Sequence, residues 1–206
     1  MIYEVRTYQL RPGTLSTFVQ RYAEAYEDRK QYSTISASFT CEIGPLEQMV
    51  NIWPYESQAH REEVRARSAG KGKWPPRGPD MLDEMTSEIF TPMDFCPDFP
   101  SGRLGPIFEC RSYRIRTDGM AAIRDVWSEV IDERRKVSPL VTAMQSENGV
   151  LNRFTHVWAY ESFAHRTEAR AEAVRKGCWP PRSVPPGTIL SQTSKIMVPT
   201  VFSPLQ

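Results

Sequence analysis

The chain has 206 residues, 26 of them basic and 25 acidic. That near-neutral balance argues against nucleic acid or an anionic membrane as main partner, since each needs a basic face. No apolar run can span a bilayer and Met1–Arg6 lack the form of a signal peptide, so a cytoplasmic protein is expected, and four cysteines without CxxC spacing read as small buried hydrophobes rather than a zinc site or disulfide framework.

Residues 2–10 are rich in Tyr, Val, Thr and Ile and read as a strand. Alternation places Glu4, Arg6 and Tyr8 on one face, where they can form an ordered polar network. Pro12 and Gly13 end it. Leu15, Phe18, Val19, Tyr22 and Tyr26 then mark one helix face. Residues 33–43 and 46–55 read as two strands around Gly44 and Pro45, with Asn51, Trp53 and Tyr55 on a common face. Ser57 is a plausible N-cap for a helix that runs to about Ala69. A loop stiffened by Pro75 and Pro76 follows, and a last strand runs from Met85 to Thr91. Residues 93–106, rich in Pro, Asp and Gly, form a linker.

The series then starts again. Ile107 to Ile115 matches the first strand, and Ile123, Val126, Trp127, Val130 and Ile131 form the helix stripe. Residues 139–147 and 150–160 are the paired strands, with a hairpin signal at Asn148 and Gly149. Ser162 opens the helix, Trp179, Pro180, Pro181 and Arg182 form the loop, and Gln192 to Val198 is the closing strand. Trp53, Tyr55, Glu56, Ser57, Ala59, His60, Arg61 and Trp74 all recur 105 residues later, so one unit is written twice. Cys96 aligns with Ser203 at an offset of 107.

Each unit reads β-α-β-β-α-β, the ferredoxin-like order. The expected class is α+β: a first repeat over 1–95, a linker at 96–106 and a second repeat over 107–206, packed sheet to sheet as an α/β barrel. The helix-free sheet faces, expected to carry residues such as Trp53, should cover one another. Free sheet edges invite pairing, so a homodimer or larger assembly is expected.

The opening Ile2–Tyr8, the stretch from Trp53 to Arg65 with Trp74 downstream, and the second copies at Ile107–Tyr113, Trp158 to Arg170 and Trp179 resemble the NIPSNAP family. The resemblance covers nearly all of both halves. It implies the dimeric α/β-barrel fold and assigns no general catalytic role. The wider fold group holds cofactor-free monooxygenases, haem-degrading enzymes, lactone isomerases and dehydratases, and fold does not fix function.

The candidate acid–base residues are His60, His165 and His156, the three histidines of the chain. Glu56 and Glu161 lie four residues before His60 and His165 and could orient the rings. Arg61 with Arg65, and Arg166 with Arg170, lie one helical turn apart and could grip an anion. Trp53, Tyr55, Trp74, Trp158, Tyr160 and Trp179 supply flat apolar walls. His156 stands where the first copy has Asn51, the informative break in the repeat. These residues suggest a pocket for a small organic molecule, in a binding protein or a cofactor-independent enzyme of monooxygenase or isomerase type. The alternative is a non-enzymatic oligomeric scaffold or interaction protein whose aromatic face docks other subunits. No metal site or cofactor is expected; haem on a histidine is the one cofactor alternative. No nucleophile elbow, phosphate loop or dinucleotide fingerprint is present.

Overall fold

The computed structural model describes residues 1–181 and 183–206; Arg182 lies outside the described residues. The first repeat is β1 (Ile2–Leu10), α1 (Leu15–Arg29), β2 (Ala37–Ile43), β3 (Gln48–Tyr55), α2 (Gln58–Ser68) and β4 (Leu82–Pro92). The second is β5 (Ile107–Ile115), α3 (Met120–Arg135), β6 (Leu140–Ser146), β7 (Arg153–Tyr160), α4 (Phe163–Arg175) and β8 (Ile189–Pro199). Both repeats have the ferredoxin-like strand order, β4-β1-β3-β2 and β8-β5-β7-β6.

The two sheets form the expected barrel by joining at their edges. β2 pairs with β8 and β4 with β6, both antiparallel, and the eight strands close. Closure removes strand edges outright. The free edges from which an oligomer was inferred are therefore used up within one chain.

Alternation along each strand sorts the side chains. Tyr3, Phe39, Val50, Ile52, Phe90 and Phe108 point into the barrel and form its core. Glu4, Arg6 and Tyr8 face the helices. So do Trp53 and Tyr55, which pack with Phe18, Tyr22 and Tyr26 of α1. This corrects the sequence expectation for Trp53: its face is the helix-covered one, because α1 carries enough aromatic surface to bury it.

One turn also differs from expectation. Asn148 and Gly149 do not close a two-residue hairpin. The loop runs over 147–152, because the backbone N–H groups of Glu147 and Asn148 bond to the Ile89 carbonyl of β4 instead. The Trp74–Pro75 and Trp179–Pro180 bonds are cis in both repeats.

Each repeat ends in a segment that crosses to the other. Phe95 stacks on Trp127 of α3, and Phe202 stacks on Tyr22 of α1 with ring centroids 5.4 Å apart. The alignment of Cys96 with Ser203 acquires a reason here. The Ala143 N–H donates to Cys96 Sγ at 3.1 Å, and the Ser38 N–H to Ser203 Oγ at 3.1 Å. Sulfur and hydroxyl cap the same backbone donor in the two repeats. The four cysteines are free thiols, with Cys41 and Cys178 buried.

Candidate functional site

The polar network expected on β1 is a buried carboxylate gripped by arginines. Glu109 is fully buried. Arg166 donates to both of its oxygens, Nε to Oε2 at 3.0 Å and Nη2 to Oε1 at 2.7 Å. Arg111 adds 3.0 Å and the Ser194 hydroxyl 2.8 Å. Burial pushes the carboxyl up, but these donors outweigh it and hold the pKa down at about 2. Glu4 is the counterpart, 1 % exposed. Its Oε1 alone accepts from Arg61 at 2.7 Å, Arg65 at 3.3 Å and Ser87 at 2.5 Å. Burial raises this carboxyl too, and Arg61 and Arg6 outweigh it. Arg61 and Arg166 thus do grip a carboxylate, as their spacing suggested, but it is the protein's own.

His60 and His165 close the N-terminal turns of α2 and α4. Ser57 Oγ accepts from the His60 N–H at 3.2 Å, and His60 Nδ1 accepts from the Glu56 N–H at 3.2 Å. The second repeat matches, with 3.0 Å and 3.1 Å. This is a variant of the capping box: histidine takes the place usually held by Glu or Gln, and its ring accepts from the residue before the cap rather than from the cap itself. The expected orientation of the ring by the Glu56 or Glu161 carboxylate is corrected: the backbone N–H does it. Among the described residues, neither histidine is part of the lining of the helix-side cavity in its repeat.

Such a cavity of about 400 Å³ lies in the first repeat, between the outer face of β1 and β3 and the loop at 74–76. Its walls include Trp53, Tyr55, Phe18, Trp74 and Pro75. Three guanidinium groups reach it, those of Arg6, Arg29 and Arg65, against one carboxylate, Glu4. Arg29 was not singled out in the sequence. It is only 2 % exposed, lies 4.5 Å from the Trp53 ring and 5.6 Å from that of Trp74, and donates to Ser33 and to the Tyr55 hydroxyl at 3.1 Å. No carboxylate lies within ion-pair distance of it among the described residues. The repeat could have revealed it, since Arg29, Ser33 and Tyr55 recur as Arg134, Ser138 and Tyr160.

The second repeat has the same frame, but its cavity does not reach the buried arginine. Arg134 sits 4.0 Å from the Trp158 ring and donates to Ser138 at 2.7 Å and Tyr160 at 3.3 Å. The corresponding cavity touches Arg111, Tyr113, Arg170 and Trp179 but stops short of Arg134, Trp158 and Tyr160. Where the first repeat has Tyr22 and Asn51 the second has Trp127 and His156, and Trp127 but not His156 lines its cavity of about 510 Å³. The Trp127 ring lies 4.7 Å from His156 and 4.6 Å from Trp179. His156 is fully buried and accepts the Trp158 Nε1 proton on Nδ1 at 2.7 Å. Burial, then Arg111 nearby, drives its pKa well below the usual histidine value, which keeps the ring neutral. Among the described residues no group of three or more His, Cys, Asp or Glu could hold a metal ion. No helix among them is long and apolar enough to cross a membrane.

The NIPSNAP family model matches the chain twice, over residues 3–97 and 108–204. Over its whole length the chain is 26 % identical to Protein NipSnap homolog 3A of Homo sapiens, covering 86 % of that protein. It is 25 % identical to Protein NipSnap of Drosophila melanogaster, again over all of the chain and 79 % of the relative. Among solved structures, a Fusobacterium nucleatum protein provisionally named a monooxygenase superposes on 97 % of this chain and 92 % of its own, with TM-score 0.62 at 9 % identity. An anthrone oxidase-like protein superposes on 96 % of this chain and 90 % of its own, with TM-score 0.60 at 10 % identity. At such identities the likeness is one of fold alone.

Proposed function

The chain belongs to the NIPSNAP family, and from that premise we propose that it binds a small, flat organic anion in the cavity of its first repeat. The observation that carries this reading is Arg29, a buried cation without a carboxylate partner among the described residues, at the wall of an open aromatic cavity. Burying a guanidinium costs several kcal/mol. Two indole faces and two hydroxyl partners offset part of that cost. Arg134 shows that this cage stands by itself; what singles out Arg29 is that a ligand can reach it. Arg6 and Arg65 stand at the same wall and share Glu4 with Arg61, three guanidinium groups on one carboxylate, so the wall keeps a net positive charge. A carboxylate on a flat ring matches both the charge and the walls of Trp53 and Trp74.

Cofactor-independent monooxygenation or isomerisation is the second reading, prompted by what the two structural neighbours are named. It needs a base beside the bound molecule. His60 and His165 are spent as caps, and burial raises the Tyr55 hydroxyl. Binding is therefore the better supported reading.

Titration with 2-naphthoate, followed by tryptophan fluorescence and calorimetry, tests it. Arg65→Gln should weaken binding about tenfold, the worth of a charge-assisted contact, while Arg170→Gln changes nothing. Equal effects of the two substitutions, or equal affinity for the uncharged methyl ester, would sink the reading.

A further inference from the structure

The inside of the barrel holds a second place for a ligand, separated from the first cavity by the thickness of the sheet. On β1 the side chains of Glu4, Arg6 and Tyr8 face the helix-side cavity, while Val5 and Thr7 face inward. The lumen contains an open volume of about 660 Å³, within the range of small-molecule sites. One end is shut: Phe99 and Leu104 from the linker and Leu205 from the tail pack against the inner core. The other end is open and rimmed by polar side chains. The lumen is a cup with an apolar floor and a charged lip.

The lip is where the repeats part company. Offsets of 107 and 105 equate Glu88 with Lys195 and Gln48 with Arg153. Arg153 and Glu88 form an ion pair at 2.5 Å, so that side of the lip is self-neutralised. On the other side Lys195 Nζ donates to Gln48 Oε1 at 2.6 Å. An amide accepts the hydrogen bond but brings no charge. Lys195 is half-buried and has no carboxylate within ion-pair distance among the described residues. Arg114 adds a second cation to the lip, Arg153 Nε is buried without a partner, and Glu88 is the one acidic side chain among the described residues lining the cup. Below the lip the wall is aliphatic: Val50, Ile52, Val157, Met144 and Met197.

We propose that the lumen binds an amphipathic carboxylate, an unbranched acyl chain whose anionic head takes Lys195 and whose tail lies along the aliphatic wall. The unpaired cation selects a charged head over a neutral one. The narrow wall of valine, isoleucine and methionine suits a flexible chain better than a flat ring.

The test is calorimetric titration of the full chain with decanoate and decan-1-ol. Decanoate should bind saturably at one site. Lys195→Gln should weaken it about tenfold, and decan-1-ol should bind the unaltered protein no better than decanoate binds that variant. Val157→Trp, which fills the cup, should abolish binding, and Arg65→Gln in the helix-side cavity should leave it unchanged. Lys195 sits at the lip, so its substitution leaves the core intact and decides the matter even where Val157→Trp does not fold. Decanoate affinity unchanged by Lys195→Gln, or absence of saturable binding, overturns the proposal. Loss of binding in Arg65→Gln also overturns it, by placing the acid in the other cavity. That outcome is separate from the fate of 2-naphthoate.

Discussion

The helix-side cavities of the two repeats share one frame: a buried arginine between two tryptophans, a carboxylate held by arginines, and a loop with a cis proline. In the first repeat the cavity reaches Arg29 and Trp53; in the second, which has Trp127 and His156 in place of Tyr22 and Asn51, it stops short of Arg134. The scaffold residues recur and these two do not. A shared arginine cage therefore reports on folding, and the difference in cavity depth reports on ligand access. The carboxylates differ as well. Glu109 is gripped on both oxygens, and Glu4 takes its nearest donors on one.

Glu109→Gln should give the largest effect, about 3–5 kcal/mol of lost stability by chemical denaturation, because it strands Arg166 and Arg111 around a neutral amide. Glu4→Gln should cost less, since its donors converge on Oε1 and the amide oxygen of glutamine can still accept from them. Equal losses would erase the contrast between the two grips.

Filling the first cavity comes next. Asn51→His with Tyr22→Trp should weaken 2-naphthoate at least about a hundredfold, by removing most of a buried contact surface. The reciprocal pair, His156→Asn with Trp127→Tyr, should create a second site seen as doubled stoichiometry. Stoichiometry that stays at one would mean something other than filling keeps the second repeat shut.

Acid titration separates the halves further. The unfolded Glu109 carboxyl titrates near 4.5 and the folded one at about 2. Its stabilisation is complete above pH 4.5 and is lost as pH falls from there toward 2. His156 is neutral in the fold and titrates near 6.5 when unfolded, so stability also falls as pH drops below 6.5. Asn51 has no proton to take up, and His156→Asn should flatten the slope below pH 6.5 in thermal melts. A slope that survives would assign it elsewhere.

The smallest effects concern caps. His60→Ala and His165→Ala should each cost about 1 kcal/mol, equally in the two repeats, and leave 2-naphthoate affinity unchanged. A loss of affinity without loss of stability would restore His60 as a functional residue. Cys96→Ser should stay within about 0.5 kcal/mol, since Ser203 already does the same work in the first repeat.

Much of this was legible in the sequence, because repetition at fixed offsets is a strong signal. The strand and helix order, the Ser57 and Ser162 caps and the network around Glu4 and Glu109 all follow from period and spacing. What was not legible depends on placement in space. Alternation says that Trp53 and Ile52 face opposite ways, but not which of those ways is the barrel interior. The Ser57–His60 spacing fits a capping box, yet histidine at the third position draws attention as an acid–base group before it does as a cap. Arg29 was hidden because an arginine at the end of an amphipathic helix normally points to water; its recurrence as Arg134 was the available clue. The lumen was invisible, since its lip joins residues such as Gln48 and Lys195 that only barrel closure brings together.

The crossing of each repeat's end onto its neighbour bears on how the chain comes to be assembled. Phe202 lies on Tyr22 and Tyr26, and Leu205 is wholly enclosed at the floor of the barrel. During translation those residues emerge after all eight strands of the barrel. The N-terminal half, though synthesised first, has to wait for them before its aromatic cluster is complete, so it should show its slowest hydrogen exchange only once the finished polypeptide has come together.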